Sequence, residues 1–223
     1  MLKFATPAPV SAVLDVPAGH IRFIAADRPD TTVEILPADP TKARDVKAAE
    51  RTTADFRDGT LRIAAAAAKN RVLGHPGSVE ITVQLPAGSH VEATTAAVEF
   101  RGVGRLGDVT LEAAQATVKL DEVNNARLAL HAGDINIGRL GGSADIRTQK
   151  GDLLVTEATH GTVDLRTEHG DITIGAARHT SATLDAGTRY GRIHNTLNNA
   201  DGPAAALTIR ATTSYGDITA RSH

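Results

Sequence analysis

Five aspartates, Asp108, Asp134, Asp152, Asp171 and Asp217, each follow a glycine and open a short alternating run, as in Gly170-Asp171-Ile172-Thr173-Ile174. Stacked at the roughly 4.8 Å spacing of neighbouring strands, they would form an acidic ladder, and a column of carboxylate oxygens is the hard donor set that Ca²⁺ takes. Calcium wants about six to eight oxygens, however, and the calcium-binding repeat phrase Gly-Gly-x-Gly-x-Asp is absent. An aspartate after a turn glycine commonly caps backbone amides instead. A degenerate sixth copy, Gly191-Arg192-Ile193-His194-Asn195, interrupts the series with a cation. The ladder is therefore read as structural, and no metal is assigned.

A second set lies one residue before the repeat glycine. Lys150, His169, Tyr190 and Tyr215 end the phrases Thr148-Gln149-Lys150, Thr167-Glu168-His169, Thr188-Arg189-Tyr190 and Thr213-Ser214-Tyr215. Equivalent corners of stacked repeats align, so these four should form one cationic and aromatic ridge able to meet a partner or a sugar. The plainer alternative is that corner side chains only cover their neighbours.

Other constellations give less. Gly102-Val103-Gly104-Arg105-Leu106-Gly107 matches the dinucleotide fingerprint literally, but that motif needs a following helix to aim at pyrophosphate, and Asp108 to Leu111 alternates as a strand. His160, His169 and His179 have neither the helical nor the strand spacing of paired metal ligands. There is no Gly-x-Ser-x-Gly elbow and no His-Glu-x-x-His. A solenoid polysaccharide lyase stays open as an alternative, with Asp164, Arg166, Asp185, Arg147 and Arg210 on outward strand faces. No catalytic residue and no cofactor are assigned.

The elements that must position these residues are short strands. Each Gly-Asp run is joined to a second alternating run, such as Ala144 to Thr148, Thr162 to Thr167, Ala182 to Ala186 or Leu207 to Ala211. Alternation sends Val163 and Leu165 to one face and Asp164 and Arg166 to the other. Spacings of about 18 to 26 residues are too short for a strand, crossover helix and loop, and suit one rung of stacked β-structure. The repeat glycine is expected at a positive-φ corner.

The first part of the chain is β but less regular. Strands are expected over Val10 to Val16, Ile21 to Ala25, Thr32 to Leu36 and Val79 to Leu85, with Asp58-Gly59 as a hairpin turn between Thr53 to Phe56 and Thr60 to Ala65. Pro40 to Arg51 is open between a short helix and a loop, and Ala64 to Lys69 favours helix only locally.

Composition excludes several classes. Lys and Arg number 24 against 26 Asp and Glu, for a net charge of −2, so no excess of cations exists to neutralise a phosphate backbone. Nucleic acid is not expected as a partner. The lack of cysteine removes disulfides, thiolate metal sites and thiol nucleophiles. No apolar run approaches the roughly 18 residues of a membrane helix, and Met1 to Val10 carries no apolar signal core, so a cytoplasmic location is expected. Aromatic residues make up only 3%, which suits a narrow core of small side chains.

The Gly-Asp-Ile-Thr copies, with Thr188 to Asn195 and Thr213 to Arg221, resemble the bacterial β-strand-repeat family labelled "putative adhesin", a domain of unknown function. The resemblance covers Gly77 to Arg221 closely and Val10 to Ala65 more loosely, and looks most like actinobacterial members. It implies a β-helix-like fold and brings no catalytic residues with it.

The expectation is thus an all-β, single-domain β-solenoid, of parallel β-helix or β-roll type. Residues 1–76 form an irregular N-terminal β region and possible cap, and 77–223 the repeats. Its expected role is a non-enzymatic interaction or scaffold module with an unidentified protein partner, a glycan ligand or surface adhesion being the alternative. The run ending at Arg221 directly after Ile218 is expected to be the terminal rung, protected by end-on homodimerisation or by the N-terminal strands.

Overall fold

A computed structural model of the chain describes residues 1–65 and 77–223, where the alternating runs become strands. In order these are β1 (Leu2–Ala5), β2 (Ser11–Asp15), β3 (Ala18–Ala26), β4 (Asp30–Pro37), helix α1 (Ala43–Arg51), β5 (Thr52–Arg57), β6 (Thr60–Ala65), β7 (Val79–Pro86) and the long run β8 (His90–Ala132). There follow β9 (Ile135–Leu140), β10 (Ala144–Arg147), β11 (Leu153–Ala158), β12 (Gly161–Arg166), β13 (Ile172–Ala176), β14 (Ala182–Tyr190), β15 (Ile193–Thr196), β16 (Leu207–Tyr215) and β17 (Ile218–Ser222). Among the described residues the result is mostly β, with mixed pairing and one short α-helix. The chain divides into two compact units, Met1–Ala116 and Thr117–His223, and β8 contributes to both.

The helix amends the all-β expectation and decides the open segment Pro40 to Arg51. Asp45 in its first turn is buried and accepts the Ser78 N–H at 3.0 Å, while the Thr52 hydroxyl donates to the Ala48 carbonyl at 2.8 Å at the other end. Of Ala64 to Lys69, Ala64 and Ala65 end β6 and the remainder lies outside the described residues.

In the first unit β2 runs parallel to both β6 and His90–Thr94 of β8, and β3 runs parallel to both β7 and Ala97–Val103 of β8. The earliest parallel pair therefore lies inside, between strands made later. Antiparallel strands complete the outer edges, with β5 on β6, β4 on β7 and β1 on β4. Asp58 and Gly59 take φ of 50° and 75°, the left-handed pair that a tight two-residue hairpin requires. Phe23 and Phe100 pack at 5.6 Å between ring centroids within a core that includes Leu14, Ile21 and Ile81. The glycine-rich phrase from 102 to 107 lies within β8, and a Cβ on Gly104 would stand 2.2 Å from the Ala25 carbonyl oxygen. Close backbone approach accounts for that glycine.

The second unit consists of two parallel stacks. One runs Val118–Val123 of β8, β9, β11, β13, β17, β15, and the other runs Ala126–Ala129 of β8, β10, β12, β16, β14. Register keeps like on like, so Val118, Ile135, Leu153, Ile172, Ile218 and Ile193 form one aliphatic column. Each gains dispersion contacts and loses water exposure against the next.

Stacking order departs from chain order here as well. After β13 the chain leaves a gap one rung high, forms β14 and β15 beyond it, and returns through Leu197–Ala206 to fill the gap with β16 and β17. The expected terminal rung, ending at Arg221, is thus interior: Ile218 is fully buried between Ile172 and Ile193. The outer rung is β14–β15, where Ile193 is 45% exposed. It is the degenerate copy, with His194 and Asn195, that meets solvent, as polar outer repeats do in stacked proteins generally.

Candidate functional site

The corner preceding β11, β13, β17 and β15 is built from three backbone-directed ladders and one outward column. Gly151, Gly170 and Gly216 have φ of 143°, 152° and 152°. A Cβ on any of them would stand about 2 Å from the carbonyl oxygen of the glycine in the rung beneath, for example 2.0 Å from Gly151 for Gly170. The glycine is therefore required by the space between rungs as well as by its φ, and only the second was legible in the sequence.

The threonines of Thr-x-x-Gly form the next ladder. The hydroxyls of Thr167, Thr213 and Thr188 donate to the carbonyls of Gly151, Gly170 and Gly216 at 3.1, 3.0 and 3.0 Å. Thr167 and Thr213 are buried, so these bonds satisfy groups that would otherwise be costly to desolvate.

The aspartates form the third. The N–H of Asp152 donates to Asp134 Oδ1 at 2.9 Å, that of Asp171 to Asp152 at 2.8 Å, and that of Asp217 to Asp171 at 2.7 Å. The ladder ends at Arg192, whose N–H donates to Asp217 Oδ1 at 2.8 Å and whose guanidinium holds Oδ2 at 2.9 Å. The Arg192 backbone N–H first, and its guanidinium second, hold the Asp217 carboxyl below the usual carboxylate range. Asp108 lies in the first unit, where its N–H donates to His90 Nδ1 at 2.9 Å. His90 there accepts the amide of the next rung as an aspartate does in the second unit. The signal was present in Ser89-His90-Val91-Glu92-Ala93, which repeats the pattern with Ser-His in place of Gly-Asp. The carboxylates of Asp134, Asp152, Asp171 and Asp217 thus each serve a backbone amide of the next rung, and among the described residues no group of three His, Cys, Asp or Glu side chains could hold a metal ion.

Lys150, His169, Tyr215 and Tyr190 form the outward column, in that order, through backbone bridges and register pairs between successive corners. His169 stacks on Tyr215 with centroids 4.8 Å apart and planes 8° from parallel, and Tyr215 on Tyr190 at 4.8 Å and 10°. The strand repeat sets this spacing. Tyr190 is 60% exposed and Tyr215 49%. All four expected ridge residues therefore come together, with Tyr190 and Tyr215 exchanged relative to chain order because their rungs are exchanged.

Outward charges on the strands pair with one another. Arg147 grips Asp145 through two bonds of 2.8 and 2.9 Å, and Arg210 lies 3.7 Å from Asp164. A separate cavity of about 630 Å³ in the first unit is lined by His20, Asp39, Lys42, Arg44, Asp45 and Ser78. No helix among the described residues is long and apolar enough to cross a membrane.

Two parallel stacks joined at glycine corners, with a continuous column of exposed side chains, define a β-repeat protein. The family model described as Toastrack DUF4097 matches residues 87–220, and the chain belongs to that family. None of the curated proteins matches it. Among solved structures it is similar to a "putative lipid binding protein" of Parabacteroides distasonis, at 12% identity and a TM-score of 0.49 over 98% of this chain and 95% of that one. It is also similar to a "putative adhesin" of Bacteroides fragilis, at 14% identity and 0.46 over 98% and 95%, and to a "putative cell adhesion protein" of Clostridium sporogenes, at 10% and 0.38 over 100% and 98%. None of these three bacteria is actinobacterial, and the narrower likeness has no support from them.

Proposed function

We propose that this chain is a non-enzymatic β-solenoid interaction module, working in the cytoplasm, that presents its corner ridge and outward ladders to a protein partner. The observation that carries the reading is the column Lys150, His169, Tyr215, Tyr190. Its rings lie face to face. They therefore turn edges and hydroxyls outward, together with the Lys150 ammonium, as a line of hydrogen-bonding groups with apolar flanks. Aromatic residues with a polar tip are the side chains that anchor protein interfaces. Around the column, the carboxylates of Asp134, Asp152, Asp171 and Asp217 are engaged with backbone amides and the hydroxyls of Thr167, Thr188 and Thr213 with backbone carbonyls, which supports a structural role for those side chains.

A second reading, carbohydrate binding or cleavage, is favoured by one feature. A sugar stacks on a ring face, and the outer face of Tyr190, on the outermost rung, has no ring against it among the described residues. Assays of lyase and hydrolase turnover on a panel of acidic glycans separate the two readings. The module reading expects no turnover, and turnover lost in Asp164→Ala or Arg166→Ala would replace it with a solenoid lyase.

A further inference from the structure

The outer rung leaves one end of the second unit unfinished. β14 pairs with β16 and β15 with β17, and the opposite edges of both carry no strand among the described residues. In the first unit the outer parallel strands β6 and β7 are covered by antiparallel β5 and β4. The uncovered edge of β14 is bounded at its start, where the Ala182 N–H donates to the Asn198 carbonyl at 3.0 Å. From Thr183 to Tyr190 it is a row of backbone groups without Pro, and its charged side chains, Asp185 and Arg189, are of opposite sign, so they repel a like edge only in some registers. Ile193 at 45% exposure and half-buried Leu184 lie in the same rung, at positions whose neighbours Ile218 and Ile209 are fully buried.

We infer that this rung is a docking surface for a second copy of the chain, joined by antiparallel pairing of β14 with itself about a two-fold axis at Gly187. The charges choose this register. An isologous antiparallel pair must set residues of like orientation opposite each other, and centring on Gly187 puts exposed Asp185 opposite Arg189 of the partner subunit, twice. It also extends a column already present, in which Asp164, Arg210 and Asp185 alternate in sign across successive strands. A cation is the next member, and Arg189 of the partner subunit supplies it. Gly187 suits the centre, since a Cβ there would meet nothing within 4 Å and the strands can approach freely.

Sedimentation of the full chain over a wide concentration range tests this. A reversible dimer of the 23.2 kDa chain is expected. Asp185→Arg and Arg189→Asp, both at exposed positions, should each raise the dissociation constant at least about tenfold, because like charges then meet twice, while circular dichroism at a concentration that keeps every chain monomeric shows both variants folded. Their equimolar mixture should recover wild-type affinity as a heterodimer, since each supplies what the other lacks. A wild type that stays monomeric, single variants that dimerise unchanged, or a mixture that fails to recover would each overturn the inference.

Discussion

Exchanging Ile218 and Ile193 separately for alanine tests the stacking order, because the two occupy the same place in the repeat and differ only in which rung lies inside. Ile→Ala removes Cγ1, Cγ2 and Cδ1, about 2.4 kcal/mol of transfer free energy at ~0.8 kcal/mol per fully buried carbon. Ile218 is fully buried between Ile172 and Ile193, so its loss also leaves an enclosed cavity and the total is about 2–5 kcal/mol. Ile193 is already 45% exposed and open on one side, which leaves roughly half the transfer value and no enclosed void, about 1 kcal/mol. In a chain of this size each kcal/mol moves the melting point by about 2–4 °C, so the two variants should separate clearly. Urea unfolding at a concentration low enough to keep the chain monomeric gives the comparison. Stacking in chain order would expose Ile218 and bury Ile193; a larger loss for Ile193→Ala would therefore refute the exchange of rungs.

Two further substitutions address the corner. Gly170→Ala should destabilise by at least about 3 kcal/mol, since its Cβ meets the Gly151 carbonyl oxygen at 2.0 Å on a φ of 152°, whereas Gly187→Ala, with open space around it, should stay within about 0.5 kcal/mol in the monomer by the same unfolding assay. The Asp217 carboxyl, held below its ordinary range by Arg192, contributes stability that is complete above the unfolded-state value near 3.8 and is lost as pH falls through the lower folded value. Carboxyl titration followed by NMR should show Asp217 moving only part of the way up toward the ordinary range in Arg192→Ala, which keeps the backbone N–H, and an unchanged titration would remove the guanidinium from its causes.

Much of this arrangement was legible because it is local. Period-two alternation located the strands, Asp58-Gly59 the hairpin, and the recurrence of Thr-x-x-Gly-Asp the corner at which Lys150, His169, Tyr190 and Tyr215 gather. The order of the rungs was not legible. Ile193 and Ile218 follow equivalent glycine corners, and backbone pairing between parallel strands is indifferent to which copy comes next. Two clues bore on it: the polar, degenerate copy at Arg192 to Asn195 suits the outside, and the connection from Leu197 to Ala206 is long enough to carry the chain back one rung. In the first unit β2 and β3 are likewise enclosed by strands made later, which no local pattern records. Helix α1 was ambiguous for a different reason, since Val46 is its one large apolar residue and its Asp45 is fixed by a bond to distant Ser78.

The most direct test of the proposed function is capture from separated cytosolic and envelope fractions, analysed for protein and glycan, with the wild-type chain and with Tyr190→Ala/Tyr215→Ala side by side. The ridge account predicts a stoichiometric cytosolic protein held by the wild type and lost by the variant, which stays folded with a melting point lower by a few degrees because two ring stacks are lost at half-exposed positions. Equal capture by both chains, or recovery of envelope polysaccharide without a protein partner, would contradict it.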